Sequence, residues 1–156
     1  MRSTYKPIGG VESVALYPAD AVVAALFSSE GCEVEFSADP IEVVLMEDAS
    51  TYEERAQLEH SVATVTHQLS LVAEKNDAER WLTGNFFEQA ALDGLIAVVT
   101  LCDGRHLLVG YSAKFENEQP LHLTAITSSS GTTPHDTPTI TLQLVSHDTD
   151  FSSQIL

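Results

Sequence analysis

The chain has 156 residues, of which 44% are hydrophobic and 7% aromatic, so it is long enough to bury the core of one domain. Its 7 Lys and Arg residues stand against 23 Asp and Glu residues, which gives a formal net charge of −16 at pH 7. This balance argues against specific nucleic-acid binding and against binding to anionic membranes, because both depend on clustered Lys and Arg.

No targeting segment is recognisable in the sequence. The opening stretch, MRSTYKPIGGVESVALYP, lacks the continuous apolar run of a signal peptide, and no stretch approaches the roughly 18 apolar residues of a transmembrane helix. We therefore expect a cytoplasmic product. Cys32 and Cys102 are the only cysteines and lie far apart in the sequence, which predicts two buried free thiols rather than a disulfide.

The N-terminal third is predicted to be an arm followed by short strands. Residues 1–10 end in Gly9-Gly10 and are expected to form a flexible arm, or alternatively an arm that pairs with a neighbouring subunit. Residues 20–27 fit either a short helix or a strand, because the run is too short for its periodicity to decide. Extended structure is predicted over 11–17, 32–37 and 41–46, and residues 32–37 alternate between apolar and polar as a half-buried strand should.

The polar, acidic segment 47–59 (EDASTYEERAQLE) is predicted to be a long loop. A loop of this length in a compact domain is usually functional or ordered by a partner, although a short surface helix is the alternative. We therefore take Tyr52, Glu53, Glu54 and Arg55 as candidate interface residues.

Residues 62–73 (VATVTHQLSLVA) show the clearest strand alternation in the chain. One face is mostly apolar and the other is mostly polar, so one side is expected to pack on a core and the other to be wet or to line an interface. His67 lies on the apolar side, where a core histidine with satisfied hydrogen bonds is expected rather than a ligand. The apolar face consists of Ala63, Val65, His67, Leu69, Leu71 and Ala73.

Residues 76–93 are predicted to form the single main helix. Asn76 and Glu79 have the spacing of a capping box, and Gly94 is a plausible end. Gly84 weakens the middle of this helix and would divide it into two pieces. The apolar stripe comprises Ala78, Trp81, Leu82, Phe86, Phe87 and Ala90.

The segment 95–115 is predicted to be a β-hairpin, with Asp103-Gly104 as a two-residue turn in which both residues can take positive φ. Strands are expected over 121–127 and 139–146, separated by an exposed loop of small residues over 128–138. In the last strand, Ile140, Leu142, Leu144 and Ser146 share one face. We take Ser129, Gly131, His135 and Asp136 in and beside the loop as further candidate interface residues.

These elements together predict a mainly β, α+β fold: one antiparallel β-sandwich or barrel over residues 11–156, with one main helix. The chain shows no zinc-site spacing, no nucleophile elbow and no phosphate-binding loop. Cys102 and His106 flank the hairpin turn and could form a Cys–His pair. We expect instead that they are cross-strand neighbours with no catalytic role. No catalytic residue, metal or cofactor is predicted.

Several segments resemble tail-associated structural proteins encoded by prophages and related mobile elements of the Bacteroides group. The resemblance rests on KPIGGVESVALYPAD, on STYEE before a long strand, on LIAVVTLCDGRHLLVGYS, and on EQPLHLTAITSSSGTTPHDTPTITLQLVSHDT. Tail-tube-like proteins of this kind are β-sandwich or barrel domains with a flanking helix, stacked as rings around a channel. The resemblance implies a homo-oligomeric ring with other tail proteins as partners, no small-molecule substrate, and a final place in a virion or tail-like particle.

Two other functions remain open at this stage. The first is a carbohydrate-binding or protein-binding β-sandwich that uses the loop aromatics Tyr52 and Tyr111, and it requires a cluster of exposed aromatic side chains. The second is a hydrolase built on acidic residues, for example a pair of Glu53 and Glu54 that acts with Asp48. It requires two carboxyl groups that face each other across a cleft, one of them with a raised pKa.

Overall fold

A computed structural model describes residues 10–45, 50–59, 62–81, 84–112, 117–132, 134–148 and 153–155. Of the described residues, 62% lie in strands and 10% are helical, and the sheets are antiparallel, which confirms the predicted mainly β, α+β class. The strands, in chain order, are β1 (Val11–Pro18), β2 (Val22–Phe27), β3 (Cys32–Phe36), β4 (Ile41–Val43), β5 (Thr51–Glu59), β6 (Val62–Glu74), β7 (Leu95–Leu101), β8 (His106–Val109), β9 (Tyr111–Ser112), β10 (Asn117–Glu118), β11 (His122–Ser129), β12 (Thr139–Asp148) and β13 (Ser153–Gln154).

Two sheets form the body of the fold. One has four strands in the order β11-β12-β6-β5, and the other has five in the order β13-β8-β7-β1-β4. Neighbouring strands in both sheets pair antiparallel. In the described part of the chain both sheets stay open, so each has two edge strands.

The main core lies between these two sheets. The four-stranded sheet contributes the alternate residues of β6 and β12, and both predicted apolar faces are confirmed where the structure describes them. The five-stranded sheet contributes alternate residues of β1, β7 and β8. The fully buried leucines and valines of this core include Leu16, Leu69, Leu71, Leu95, Val99, Val109, Leu142 and Leu144.

The β2–β3 hairpin forms a third layer on the outer face of the five-stranded sheet. Buried Cys32 of this hairpin packs with Ile96 and Leu108, which point away from the main core. The Tyr17 and Phe36 rings stack at 3.7 Å between centroids. Residues 22–27 are therefore a strand rather than a helix, because they pair with Cys32–Phe36 and cover an apolar surface.

The segment 47–59 is not the long loop that its composition predicts. Residues 51–59 form β5, which pairs with β6 from Thr51 opposite Ser70 to Glu59 opposite Val62. A long-range partner overrides local polarity here, and charged side chains are common on edge strands because they discourage unwanted pairing.

The helical region occupies the predicted part of the chain but is divided. It consists of α1 (Lys75–Ala78), α2 (Gly84–Glu88) and a π-helical turn (Gln89–Asp93) that ends at Gly94. Glu74 rather than Asn76 occupies the N-cap position of α1, and its side chain makes no capping hydrogen bond. Trp81 and Phe86 make an edge-to-face contact at 5.0 Å and close one end of the core.

The predicted hairpin is present, but its loop has three residues rather than two. Gly104 N–H donates to Leu101 O (2.9 Å), and Leu101 N–H donates to Arg105 O (2.8 Å). Cys102, Asp103 and Gly104 therefore form a turn that ends in a bulge, with Gly104 at φ +93°.

Gly104 and Gly94 both have positive φ, but they differ in how much space a side chain would find. A Cβ on Gly104 would meet no atom within 4 Å, whereas a Cβ on Gly94 would lie 2.6 Å from Pro120 Cβ. We expect Gly104→Ala to lower the free energy of unfolding by about 1–2 kcal/mol through φ strain alone. Gly94→Ala should cost roughly 2–5 kcal/mol, because overpacking adds to the strain. Urea unfolding measures both, and equal losses would contradict the described helix end.

The Trp81 contact gives a second stability prediction. Trp81→Ala should cost about 3 kcal/mol, near the low end for large aromatic truncations because the side chain is only partly buried. Asn85→Ala, at an exposed position in the same region, should change stability by less than about 0.5 kcal/mol. A negligible loss at Trp81 would mean that the helical region does not pack on the sheets.

Candidate functional site

The predicted interface residues all belong to the four-stranded sheet and its connections, but at opposite edges. Tyr52, Glu53, Glu54 and Arg55 lie on edge strand β5. Ser129 is the last residue of the other edge strand, β11. The structure therefore gathers the candidates into two edge regions of one sheet rather than into one cluster. Gly131, His135 and Asp136 lie in the connection from β11 to β12.

Strand alternation sends the four β5 candidates to two different faces. Glu53 and Arg55 lie opposite Gln68 and Thr66, on the outer face of the sheet. Their side chains are 65% and 72% exposed, and Arg55 Nη2 lies 3.9 Å from Glu53 Oε2, a pair that contributes little in water.

Tyr52 and Glu54 point to the core side and form a polar cluster with His67. The Tyr52 hydroxyl donates to Glu54 Oε1 at 2.8 Å and lies 2.7 Å from His67 Nδ1. His67 is only 3% exposed, and its Nδ1 is 3.9 Å from Glu54 Oε1. The predicted core histidine with satisfied hydrogen bonds is confirmed. Because the cluster joins side chains of β5 and β6, it fastens the edge strand to the sheet.

The connection between β11 and β12 is held by its own hydrogen bonds. Asp136 Oδ2 accepts from Thr132 N–H at 2.9 Å and from the Thr132 hydroxyl at 3.0 Å. A Cβ on Gly131 (φ +79°) would lie 2.5 Å from Asp136 Cβ, so the close packing of this turn requires glycine. His135 is exposed beside it. This region is an ordered corner at the end of the β11 edge.

The outer face of the four-stranded sheet is polar and carries few charges. Its four strands contain one Arg or Lys residue, Arg55, whose guanidinium lies near the Glu53 carboxylate. Hydroxyl and amide side chains dominate this face because they alternate with the buried core residues. They include Thr64, Thr66, Gln68 and Ser70 of β6, Thr139, Thr141 and Gln143 of β12, and Thr127 and Ser129 of β11.

The geometry does not assemble the two alternative sites. Glu53 and Glu54 face opposite sides of the sheet and do not share a cleft, and Asp48 lies outside the described residues. Tyr52 is half-buried in the polar cluster. Tyr111 is half-buried and stacks on Phe27 with ring centroids 5.9 Å apart. The two tyrosines therefore do not form an exposed aromatic platform.

The cysteines and histidines do not converge either. Cys32 is buried, and burial raises the pKa of its thiol. Cys102 is exposed in the hairpin turn, so the prediction of two buried thiols is wrong for this residue. His106 lies opposite Thr100 rather than Cys102, and its Nδ1 is 2.8 Å from Thr100 Oγ1.

Within the described ranges, no three His, Cys, Asp or Glu side chains lie close enough to hold a metal ion. None of the helices described there is long and apolar enough to cross a membrane. No family model, no curated protein and no solved structure matches this chain.

The polar cluster gives a direct test of how β5 is held. Tyr52→Phe removes the hydroxyl between Glu54 and His67, so both buried groups lose one partner. We expect a loss of about 1–2 kcal/mol in the free energy of unfolding, measured in urea.

Tyr17→Phe is the matched control, since Tyr17 is also half-buried and ring-stacked but has no hydroxyl hydrogen bond among the described contacts. It should change stability by less than about 0.5 kcal/mol. Equal effects of the two substitutions would show that the Tyr52 hydroxyl does not help to hold β5.

Proposed function

We propose that this protein is a non-enzymatic structural subunit of a phage-tail-like particle and assembles with copies of itself into a ring. In this proposal the β11 edge of one copy pairs with the β5 edge of the next copy. The tail-tube-like resemblance of the sequence suggests the particle, and the four-stranded sheet suggests the mode of assembly.

The observation that carries the proposal is that β5 and β11, the two long edge strands of one sheet, each pair with only one strand within the described residues. β5 has nine residues and β11 has eight. Because the sheet has four strands and every pair is antiparallel, its two edge strands run in opposite directions. A neighbouring copy with the same orientation can therefore pair its β11 with β5 and continue the antiparallel alternation. An odd number of strands would give a parallel junction instead.

The outer face suits the lining of a channel for a polyanion. Its Thr, Ser and Gln side chains offer no cationic cluster, and Arg55 is accompanied by Glu53. A chain with a net charge of −16 repels a phosphate backbone, so nucleic acid would pass such a surface without binding to it.

Proline substitutions on β5 test the edge junction. Successive N–H groups on an edge strand point alternately to its partner and away from the sheet. Of Ala56→Pro and Gln57→Pro, we expect one to destabilise the fold by removing a bond to β6. The other should retain the wild-type melting temperature and lose ring assembly in light scattering, because proline removes only an outward donor.

Proline substitutions at Thr127 and Ser128 test β11, the opposite edge of the sheet, in the same way. One of them should destabilise the fold, and the other should keep the fold but lose ring assembly. If the well-folded variants at both edges assemble like the wild type, the subunits do not join through these strands, and the proposed ring fails.

A further inference from the structure

Among the described residues, the β2–β3 hairpin covers only part of the outer face of the five-stranded sheet. Ala15, Glu42 and Val98 are register partners on neighbouring strands in the remaining part of this face. Together with residues around them they line an open groove of about 510 Å³. Val44 beside them is 63% exposed, which is high for a valine next to a packed sheet.

Two carboxylates flank the apolar floor of this groove. Glu12 is the extra residue of a β-bulge, because Val11 pairs with Leu101 while Ser13 pairs with Thr100. Bulges redirect side chains at sheet edges. Glu42 lies on the short edge strand β4, opposite Ala15. The lining contains no Lys or Arg, so the groove suits a segment that is both apolar and basic.

The sequence contains such a segment at residues 1–9, which lie outside the described residues. MRSTYKPIG carries Arg2 and Lys6 and no acidic residue, together with the apolar Tyr5 and Ile8. The other 147 residues hold the remaining five cations and all 23 acids of the chain. Charge is therefore separated along the sequence, which gives residues 1–9 an electrostatic preference for the acidic body of the protein.

We propose that residues 1–9 of one copy bind in the groove of a neighbouring copy, with Arg2 and Lys6 beside Glu12 and Glu42. In an extended segment Arg2 and Lys6 are about 13 Å apart. Glu42 lies one strand across and three residues along from Glu12, roughly 11 Å away by the same strand dimensions. Ile8, which shares a face with Arg2 and Lys6 in an extended segment, would then lie against the apolar residues of the groove.

A neighbouring copy is the favoured acceptor for two reasons. Gly10 O accepts from Cys102 N–H at 3.1 Å, which holds the chain two residues before Glu12, so a segment bound in its own groove must reverse direction at once. In addition, two chains of charge −16 repel each other, and a basic segment at their contact offsets that repulsion. This inference rests on the self-assembly proposed above.

Charge exchange between full-length chains tests the inference. The segment variant is Arg2→Glu with Lys6→Glu, and the groove variant is Glu12→Arg with Glu42→Arg. Each variant alone should need about tenfold more protein than the wild type to assemble, from the loss of two ion pairs. An equimolar mixture of the two variants should assemble like the wild type, because each acidic segment then meets a basic groove in the other chain.

The groove variant has a matched control in Glu30→Arg with Glu33→Arg, which makes the same change in net charge at exposed positions on and beside the β2–β3 hairpin. Alone, this control should need no more protein than the wild type to assemble, and when mixed with the segment variant it should not restore the assembly of that variant. If mixing gives no rescue while a chain with all four exchanges assembles, the segment binds its own groove, and the inference is overturned.

Failure of this inference and failure of the proposed ring have different signatures. If both variants assemble like the wild type while the proline variants of β5 do not, the proposed ring is supported and the segment has no part in it.

If no chain assembles, a labelled peptide of residues 1–10 is added to the full-length segment variant and to the groove variant. Binding to the first with at least tenfold weaker binding to the second supports the groove, and equal binding overturns it.

Discussion

The strict alternation of β6 is the constraint on which the rest of the structure depends. Leu69 and Leu71 lie in the core between the two sheets, whereas the neighbouring polar residues Gln68 and Ser70 face outward. β6 pairs with β5 on one side and with β12 on the other, so its register determines theirs. A slip of one residue would turn the Thr, Gln and Ser side chains into the core, and this register is therefore strongly specified.

This register also determines what the candidate site can do. Because β5 is fixed against β6, Tyr52 and Glu54 meet His67 on the core side, while Glu53 and Arg55 remain in solvent. Adjacent carboxylates on opposite faces cannot act together on one substrate, so the pair of Glu53 and Glu54 does not form a catalytic dyad. The same pairing leaves β5 and β11 as open edges, and open edges are suited to the extension of a sheet by another chain.

The local sequence pattern was sufficient to predict the strands in which buried and exposed residues alternate. The faces of β6 and β12, the core position of His67 and the hairpin at 95–109 all follow from period-2 alternation and turn chemistry. Segment 51–59 could not be identified in this way, because it extends past the core and owes its strand form to β6. The choice of strand over helix for 22–27 likewise depends on its partner β3.

The candidate site was predictable only in part, for the same reason. Composition indicated that the region of Tyr52 to Arg55 and the region of Ser129 to Asp136 were exposed and distinctive. That these regions mark opposite edges of one antiparallel sheet depends on long-range pairing order. The groove between Glu12 and Glu42 depends on a bulge and on the part of the sheet that the β2–β3 hairpin does not cover, neither of which leaves a signal in local sequence.

Self-assembly of the unmodified chain is the central claim, and negative-stain imaging of the purified protein across concentration and salt tests it most directly. A net charge of −16 opposes association until it is screened, so rings of uniform size should become more abundant as salt and protein concentration rise. A chain that stays monomeric under all these conditions would contradict the account.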